Sequence, residues 1–285
     1  MSRPERVRVV VYAPRSAGPA LHRTLISLAR QDLDPARLEI AFPTSKSVAL
    51  DDPKDQLLVN ALDLKRVEVV DDSGLTASQA INLAAQGSAD HIAFVPEGAR
   101  LHPEFLTRLL GALPDSQLAA AFCGHTAGNA EGIAYVRSPA YQQEMLTRRN
   151  PIGPAVLIKA QSWNSLHGLR ADLRLHWWDL WLRLVMAGGQ INQVPDLLAS
   201  CPSGHRWGPK DDGTAKAMLV VQTPGAFAPD VCRWALAHLR GDSWATSFTR
   251  GRIPTPRDVA ELWSGFNPAL RTGAPGWERP LSHSA

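Results

Sequence analysis

The chain has few of the residues that build a disulfide framework or a structural zinc site. Its 285 residues include only three cysteines, Cys123, Cys201 and Cys232, which are far apart and form no Cys-x-x-Cys pair. Cysteines that are odd in number and widely spaced argue against both kinds of site, and they fit a reducing compartment. We therefore expect a cytoplasmic protein.

Long apolar runs and long basic runs are also missing. No stretch approaches the roughly 20 apolar residues that a membrane span needs. The apolar part of MSRPERVRVVVYAP is too short for the core of a signal peptide. No run of Lys or Arg indicates a nucleic-acid partner, and the formal net charge is only +3. These absences favour an ordinary globular protein, for which a peripheral contact with a membrane or a partner protein stays open.

Strand-like and helix-like segments alternate through the first half of the chain. Continuous apolar or β-branched runs predict buried strands, namely VRVVVYA (7–13), LEIAF (38–42), VEVV (67–70), HIAFV (91–95) and LAAAFC (118–123). Apolar residues at helical spacing predict helices between them, at 19–31, 76–87 and 103–113. This alternation predicts an α/β fold with a doubly wound, mostly parallel sheet that helices flank.

The second half is less regular and predicts a boundary near residue 205. A strand (155–159), the helix LHWWDLWLRLVMAGG (175–189) and a short strand, QINQVP (190–195), come before it. After it the composition changes to a loop, GHRWGPKDDGT, with helices at 229–240 and 256–264. We expect one domain over residues 1–205 and a C-terminal helical and loop extension over residues 206–285.

The helix that contains LHWWDLWLRL has one narrow polar stripe. At roughly 100° per residue, His176, Asp179 and Arg183 lie within about 60° of one another, and the remaining positions are apolar. This pattern is typical of a helix that is buried on nearly every side. Asp179 and Arg183 are four residues apart and can form an ion pair.

Four stretches, in their order and spacing, resemble family-2 glycosyltransferases of the GT-A type. They are VVVYAPRSAGPALHRTLISLARQ (9–31), ASQAINLAAQGSADHIAFVPEGARLHPEFLTRLL (77–110), NPIGPAVLIKAQSWNSLHGLRADLRL (150–175) and HWWDLWLRLVMAGGQINQVPDLL (176–198). The likeness covers roughly residues 7–205. It implies a Rossmann-like GT-A domain that moves a sugar from a nucleotide-sugar donor to a glycan or small-molecule acceptor.

The chain departs from this family at three acidic motifs. Where the family has two acids, Gly and Ser after its second strand, this chain has Thr-Ser-Lys-Ser (44–47). Where the family has the metal-binding Asp-x-Asp, it has Pro-Glu-Gly (96–98). Where the family has an acidic pair on the base-bearing helix, it has His176 and Trp177. Three sites have therefore changed together.

The resemblance places a general base at His176. An acceptor hydroxyl must lose its proton to a group within hydrogen-bond reach, and histidine is suited to this near neutral pH. Asp179, one turn further along the helix, would orient the imidazole. In the alternative, Asp179 and Arg183 form an ion pair that satisfies a buried helix, and His176 caps the helix start.

The leaving diphosphate needs its charge neutralised, usually by a metal with oxygen ligands. Glu97 alone is a poor site for Mn²⁺ or Mg²⁺. His205 could add a ligand, because a histidine in this region recurs in the family as one. A metal-independent site would instead pair the phosphates with Arg206, Lys210 or Arg100, since arginine binds phosphate with two parallel hydrogen bonds. A surface loop containing His205 and Arg206 is the alternative.

Further donor-binding residues are placed by the same resemblance, namely Pro14, Ser45, Asp71, Asp72, Gln79, Glu97, Arg183 and Arg206. For Asp71 and Asp72 the alternative is a plain turn, and for Gln79 a surface helix. Two functions remain open: a glycosyltransferase with a remodelled site, or a catalytically inactive GT-A domain, a pseudoenzyme, that serves as a binding or scaffolding subunit. No G-x-G-x-x-G or G-x-x-x-x-G-K-[ST] motif supports another nucleotide-binding enzyme.

Overall fold

The computed structural model describes residues 4–12, 19–44, 60, 66–129, 132–136, 140–202 and 212–266. The chain divides by its backbone contacts into two compact units. The first comprises Met1–Leu146 and Asn150–Gly208, and the second comprises Thr147–Arg149 and Pro209–Ala285.

The first unit contains nine strands and five α-helices within the described residues. The strands are β1 (Val7–Tyr12), β2 (Leu38–Thr44), β3 (Val67–Asp71), β4 (His91–Pro96), β5 (Arg100–Leu101), β6 (Ala119–Asn129), β7 (Gly132–Val136), β8 (Val156–Lys159) and β9 (Gln190–Pro202). The helices are α1 (Pro19–Ala29), α2 (Ala77–Ala84), α3 (Phe105–Ala112), α4 (Ala160–Ser165) and α5 (His176–Met186).

The nine strands form one mixed sheet. Its order is β3-β2-β1-β4-β8-β6-β9-β5, and β7 pairs with β6 outside this path. β3, β2, β1 and β4 are parallel to one another, and β8 lies antiparallel between β4 and β6. β9 is parallel to β6. The parallel strands therefore all point their carboxyl ends to one edge of the sheet.

Apolar composition explains why the central strands and their helices form. Every residue of β1, VRVVVY, is buried, and so is every residue of β4, HIAFVP. In α1, Leu21, Leu25 and Leu28 recur at helical spacing and are all buried. Each element thus presents the apolar pattern that its own period requires.

Helices cover both faces of the sheet. On one face, α1 and α3 pack into a core cluster that includes Val9, Val95 and Leu157 from three strands. On the other face, Phe94 of β4 contacts Trp163 of α4 and Trp177 of α5, with ring centroids 4.6 and 4.9 Å away. Helices on both faces leave the carboxyl edge as the place where loops can build a site.

The second unit is helical where it is described. It contains α6 (Gly213–Gln222), α7 (Pro229–Arg240), α8 (Ser243–Thr246) and α9 (Pro256–Phe266). Trp234 is fully buried at its centre, and its indole Nε1 donates to the carbonyl of Ala245 at 3.0 Å. Asp258 accepts hydrogen bonds from Arg252, which lowers the pKa of that carboxyl. In neither unit does a described helix have the length and apolarity needed to cross a bilayer.

Candidate functional site

The carboxyl edge of the parallel strands gathers several residues that the sequence singles out. Residue pairing aligns Tyr12 at the end of β1 with Pro96 at the end of β4, and Thr44 at the end of β2 with Asp71 at the end of β3. Ligands of open α/β sheets bind outside the carboxyl ends of the strands. This edge is therefore the candidate site.

Five of the candidate site residues lie outside the described residues. They are Pro14, Ser45, His205, Arg206 and Lys210. The described chain approaches His205 as far as Pro202, the last residue of β9, which packs against Gly98: a Cβ on that glycine would lie 2.9 Å from Pro202 Cγ. The end of β9 thus contacts the turn that carries Glu97.

Glu97 lies on a tight turn with a fixed backbone. The amide of Ala99 donates to the carbonyl of Pro96 at 3.1 Å, and Gly98 has a φ of +82°, as a type II turn requires. The Glu97 amide donates to the carbonyl of Tyr12 at 3.0 Å. Only 7% of Glu97 is exposed. One buried carboxylate therefore occupies the position that follows β4.

No cluster of three His, Cys, Asp or Glu residues suited to a metal ion occurs in the part of the chain that the structure describes. A cation beside Glu97 would take its other ligands from the donor diphosphate, from a single further side chain, or from residues outside the described ranges. Hard divalent cations accept such mixed sets when oxygen dominates.

Asp71, Asp72 and Gln79 lie at the far end of this edge, after β3. The Asp71 carboxylate accepts from the amide and the hydroxyl of Ser73, at 3.1 and 2.6 Å, so it stabilises its own turn. Gln79 forms a capping box with Thr76 at the start of α2. The next carbonyl of the turn, that of Asp72, accepts from Leu75 at 2.9 Å. These groups fix the loop that leads from β3 into α2.

His176 is the first residue of α5, and its imidazole is held by two neighbours. Nδ1 lies 3.2 Å from the carbonyl of Leu173 and 3.1 Å from the hydroxyl of Ser78, which is buried near the start of α2. A carbonyl can only accept, so Nδ1 carries the proton in this bond, and the lone pair of the neutral ring is on Nε2. Burial lowers the pKa of His176, and the Leu173 bond and the charge of Asp179 partly offset this lowering. The lowered pKa favours the neutral form of the ring.

Asp179 is fully buried and contacts two arginines. Its Oδ2 accepts from Arg183 Nε at 2.7 Å, and its Oδ1 accepts from Arg170 at 3.3 Å. The hydrogen bonds of His176 go to Leu173 and Ser78 instead. The polar stripe of α5 thus contains an ion pair and, one turn before it, an imidazole on which Asp179 acts through its charge.

The ion pair braces the turn that follows α4. Both η-nitrogens of Arg183 donate to backbone carbonyls, one to that of Leu166 and the other, at 2.7 Å, to that of Gly168. His167 and Gly168 have φ values of +56° and +63°, a conformation that a residue with a side chain rarely adopts. Arg183 therefore stabilises a turn in which His167 has a left-handed backbone conformation.

The tryptophans of α5 are packing residues. Trp177 contacts Tyr12, with ring centroids 5.7 Å apart, and stacks on Trp181 at 6.0 Å. Trp178 donates from Nε1 to the carbonyl of Leu146 at 2.7 Å. Tyr12 in turn donates to the carbonyl of Pro154 at 2.9 Å. These contacts fix the start of α5 against the carboxyl edge of β1.

The sequence did not single out two residues that position this site. Ser78 holds His176, yet it is a small polar residue within an ordinary amphipathic helix, and only the packing of α2 against α5 reveals its partner. Tyr12 ends a strand whose apolar pattern explained it as core. The signal available in the sequence was the Tyr12 hydroxyl, a polar group at the end of a buried strand that needs a hydrogen-bond partner.

Comparison with known proteins finds likeness of structure only. The sequence matches no protein-family model and no curated protein. TarS of S. aureus, residues 1–349, matches with a TM-score of 0.59 and 14% identity, over 86% of this chain and 74% of that chain. Its complex with UDP-GlcNAc has a TM-score of 0.59 and 13% identity over the same shares.

A second neighbour comes from Pyrobaculum calidifontis. The mannosyltransferase PcManGT, solved in complex with GDP-Man and Mn²⁺, matches with a TM-score of 0.56 and 15% identity, over 96% of this chain and 77% of that chain. Both neighbours have the GT-A fold. The α/β architecture that the sequence predicts is confirmed: this chain has the GT-A fold.

Proposed function

We propose that this protein transfers a sugar from a nucleotide-sugar donor to an acceptor hydroxyl, with His176 as the general base. The observation that carries the proposal is the held imidazole at the start of α5. Its Nδ1 is committed to the Leu173 carbonyl, which leaves Nε2 to accept a proton. The solved neighbours support the donor class, because TarS binds UDP-GlcNAc and PcManGT binds GDP-Man.

In the proposed reaction the acceptor oxygen bonds to the anomeric carbon of the donor. The bond between that carbon and the diphosphate oxygen breaks, and the nucleoside diphosphate leaves with the electron pair. The acceptor proton passes to Nε2 of His176. Asp179 contributes by its negative charge, which stabilises the imidazolium as it forms.

The donor would lie along the carboxyl edge of β1 to β4. Asp71 and Asp72, with Pro14, Ser45 and Gln79, are our candidates for contacts with the nucleoside. Arg206 is the candidate partner of the diphosphate, since arginine matches phosphate geometry. Arg183 would act by holding the 166–168 turn, because its nitrogens already contact backbone carbonyls there.

A divalent metal, Mn²⁺ or Mg²⁺, is the proposed partner of the diphosphate at Glu97. The metal would neutralise the charge that develops on the leaving group. His205 is a candidate ligand, because Pro202, three residues before it, contacts the turn that carries Glu97. PcManGT was solved with Mn²⁺, which makes this class of ion the first to test.

The function test is thermal unfolding with UDP- and GDP-sugars and their diphosphates, with and without Mn²⁺. A nucleotide that binds the folded protein raises the unfolding midpoint, by an amount that grows with the logarithm of its concentration relative to its Kd. We expect one nucleotide class to stabilise the protein, and His176→Gln to abolish donor hydrolysis and transfer while keeping that stabilisation. Normal turnover in His176→Gln would remove the base assignment. If no nucleotide stabilises the protein in any condition, the enzyme proposal fails.

The second candidate function is a catalytically inactive binding or scaffolding subunit. The specific observation in its favour is the state of Asp179, the carboxylate of α5, whose two oxygens both accept from arginines. A helix whose carboxylate is engaged in structural ion pairs fits a domain that has lost catalytic activity. Stabilisation by nucleotides together with a complete lack of hydrolysis and transfer would favour this candidate. We expect the protein to reside in the cytoplasm, whichever of the two functions it has.

A further inference from the structure

Asn82 lies on α2, and its side-chain amide pairs with the backbone of Leu169. Nδ2 donates to the Leu169 carbonyl at 2.8 Å, and Oδ1 accepts from the Leu169 amide at 2.8 Å. An asparagine offers a donor and an acceptor side by side, so one side chain satisfies both backbone groups of one residue. Leu169 belongs to the connection between α4 and α5. Asn82 therefore ties this connection to α2.

The turn that opens the connection is bound by side chains from two helices. Arg183 on α5 donates to the carbonyls of Leu166 and Gly168. Gly168 also packs directly against Asn82, since a Cβ on this glycine would lie 2.5 Å from Asn82 Oδ1. Together the two helices fix the backbone over residues 166–169.

The connection leads to the carbonyl that accepts the ring proton of His176. Leu173, four residues after Leu169, places its carbonyl oxygen 3.2 Å from His176 Nδ1. Leu169 and Leu173 are each only 3% exposed, so the connection is anchored in the protein at both positions. In a neutral imidazole, the hydrogen bond made by one nitrogen decides which of the two carries the proton. The position of the Leu173 carbonyl therefore decides whether Nε2 has a free lone pair.

α2 contacts the same ring through Ser78, but this contact does not select a tautomer. Ser78 and Asn82 are four residues apart and lie on one face of α2. The Ser78 hydroxyl is 3.1 Å from His176 Nδ1. A hydroxyl can donate or accept, so it is compatible with either tautomer, whereas a carbonyl can only accept. Selection of the tautomer thus depends on the Leu173 carbonyl, whose connection Asn82 anchors.

We propose that Asn82 is a positioning residue that sets the tautomer of His176. It acts through the connection over residues 169–173, by holding the Leu173 carbonyl opposite Nδ1. The proposal rests on the proposed function, because the tautomer matters for transfer only if Nε2 is the base. With the proton on Nδ1, Nε2 can take the proton of the acceptor hydroxyl. In the other tautomer Nε2 already carries a proton and cannot act as a base.

The test is NMR of protein labelled with ¹⁵N at histidine, at about pH 8, where a ring with an ordinary or lowered pKa is neutral. Protonated and unprotonated ring nitrogens have well separated resonances, and their couplings to the carbon-bound ring protons tell Nδ1 from Nε2. The spectrum of His176→Gln identifies the His176 signals among those of the nine histidines. We expect the proton on Nδ1 in the wild type. Asn82→Leu, which keeps the size but removes the amide, should move it towards Nε2.

Three control variants separate this effect from a general loss of stability. Asn192→Leu removes a bond of the same type, from Nδ2 to the Ala112 carbonyl, and should keep the wild-type signal. Gly168→Ala should move the proton as Asn82→Leu does, because its Cβ displaces the Asn82 amide. Gly188→Ala is its match, since Gly188 also has a positive φ but nothing lies within 4 Å of the new Cβ. Thermal unfolding shows which variants are folded at the temperature of the spectra.

Turnover gives the second readout. In Asn82→Leu, kcat should fall at least about tenfold, since a positioned base commonly contributes about 10²- to 10⁴-fold. The KM for the donor and the stabilisation by nucleotide should change little, because Asn82 contacts the connection and not the proposed donor residues.

The proposal is overturned if folded Asn82→Leu keeps the proton on Nδ1, because Asn82 then serves stability alone. A moved proton with unchanged kcat overturns it as well, since the tautomer would then have no bearing on transfer. The tautomer is scored without turnover. If the wild type transfers no sugar, the proposed function fails, while a proton that moves in Asn82→Leu still shows that Asn82 positions the ring.

Discussion

Replacing Asp179 with leucine removes the acid from a buried charge network on α5. The carboxylate is fully buried, and the Arg183 side chain is only 12% exposed, so the pair that they form is shielded from water. Breaking a buried pair by removing one partner costs about 3–5 kcal/mol, because the remaining charge is left uncompensated. The second contact, to Arg170, involves a guanidinium that is 37% exposed and contributes less than about 1 kcal/mol.

We therefore expect Asp179→Leu to lower the free energy of unfolding by about 3–5 kcal/mol. At about 2–4 °C per kcal/mol, the unfolding midpoint should fall by about 6–20 °C. Urea unfolding measures the free energy, and Arg170→Ala is the matched control, because it removes only the exposed contact. Asp179→Leu together with Arg183→Met should recover part of the loss, since no buried charge is then left unpaired.

Recovery should be incomplete for a specific reason. Arg183 also donates to the carbonyls of Leu166 and Gly168, and those acceptors lose their partner in the double variant. If Asp179→Leu costs no more than Arg170→Ala, the network is not structural and the reasoning is refuted.

Three further predictions concern single residues. Gly98→Ala should lower the free energy of unfolding by more than Gly188→Ala: both glycines have φ near +80°, which costs about 1–2 kcal/mol for an L-residue, but only at Gly98 does the new Cβ meet Pro202. Equal losses of unfolding free energy in the two variants, measured by urea unfolding, would show that the contact with Pro202 does not destabilise the protein. Tyr12→Phe leaves the buried Pro154 carbonyl without its donor and should cost about 1–3 kcal/mol by the same assay; no loss would indicate a replacement partner. Because partial burial lowers the pKa of His176, the unfolded chain takes up a proton near pH 6.5 and the folded one only at lower pH. The stability contributed by the neutral imidazole is therefore fully present above about pH 6.5 and is lost as pH drops below it, and urea midpoints of His176→Gln should fall less over the same range; parallel curves would contradict the lowered pKa.

The central strands could be predicted from sequence because burial on both faces leaves a plain signature. β1 and β4 are mostly apolar runs, with Arg8 and His91 as their polar members, and the structure places both at the centre of the sheet. The carboxyl halves of β6 and β9 were not predicted. They contain Gly, Pro, Asn and His, and long-range pairing with register shifts near Gly124 forms them. Local composition does not encode such pairing.

The candidate site shows the same division. A helical wheel was enough to bring His176, Asp179 and Arg183 onto one stripe of α5, since helix geometry is local. It could not tell which neighbour each side chain would choose, because Ser78 comes from another helix and Arg170 from a loop. Similarly, α6 was not predicted, although Asp212 caps it through a hydrogen bond to Ala215.

In α5 the residues that anchor the helix are separate from the candidate base, and this separation bears on how such a domain can diverge. The residues that anchor this helix begin one position after His176, with Trp177, Trp178 and the buried Asp179. Position 176 itself contributes little to that anchorage, being held by one hydroxyl and one carbonyl. A lineage can therefore exchange the side chain at this position while the fold stays intact, and under the proposed function such an exchange would change or remove the catalytic base in one mutational step.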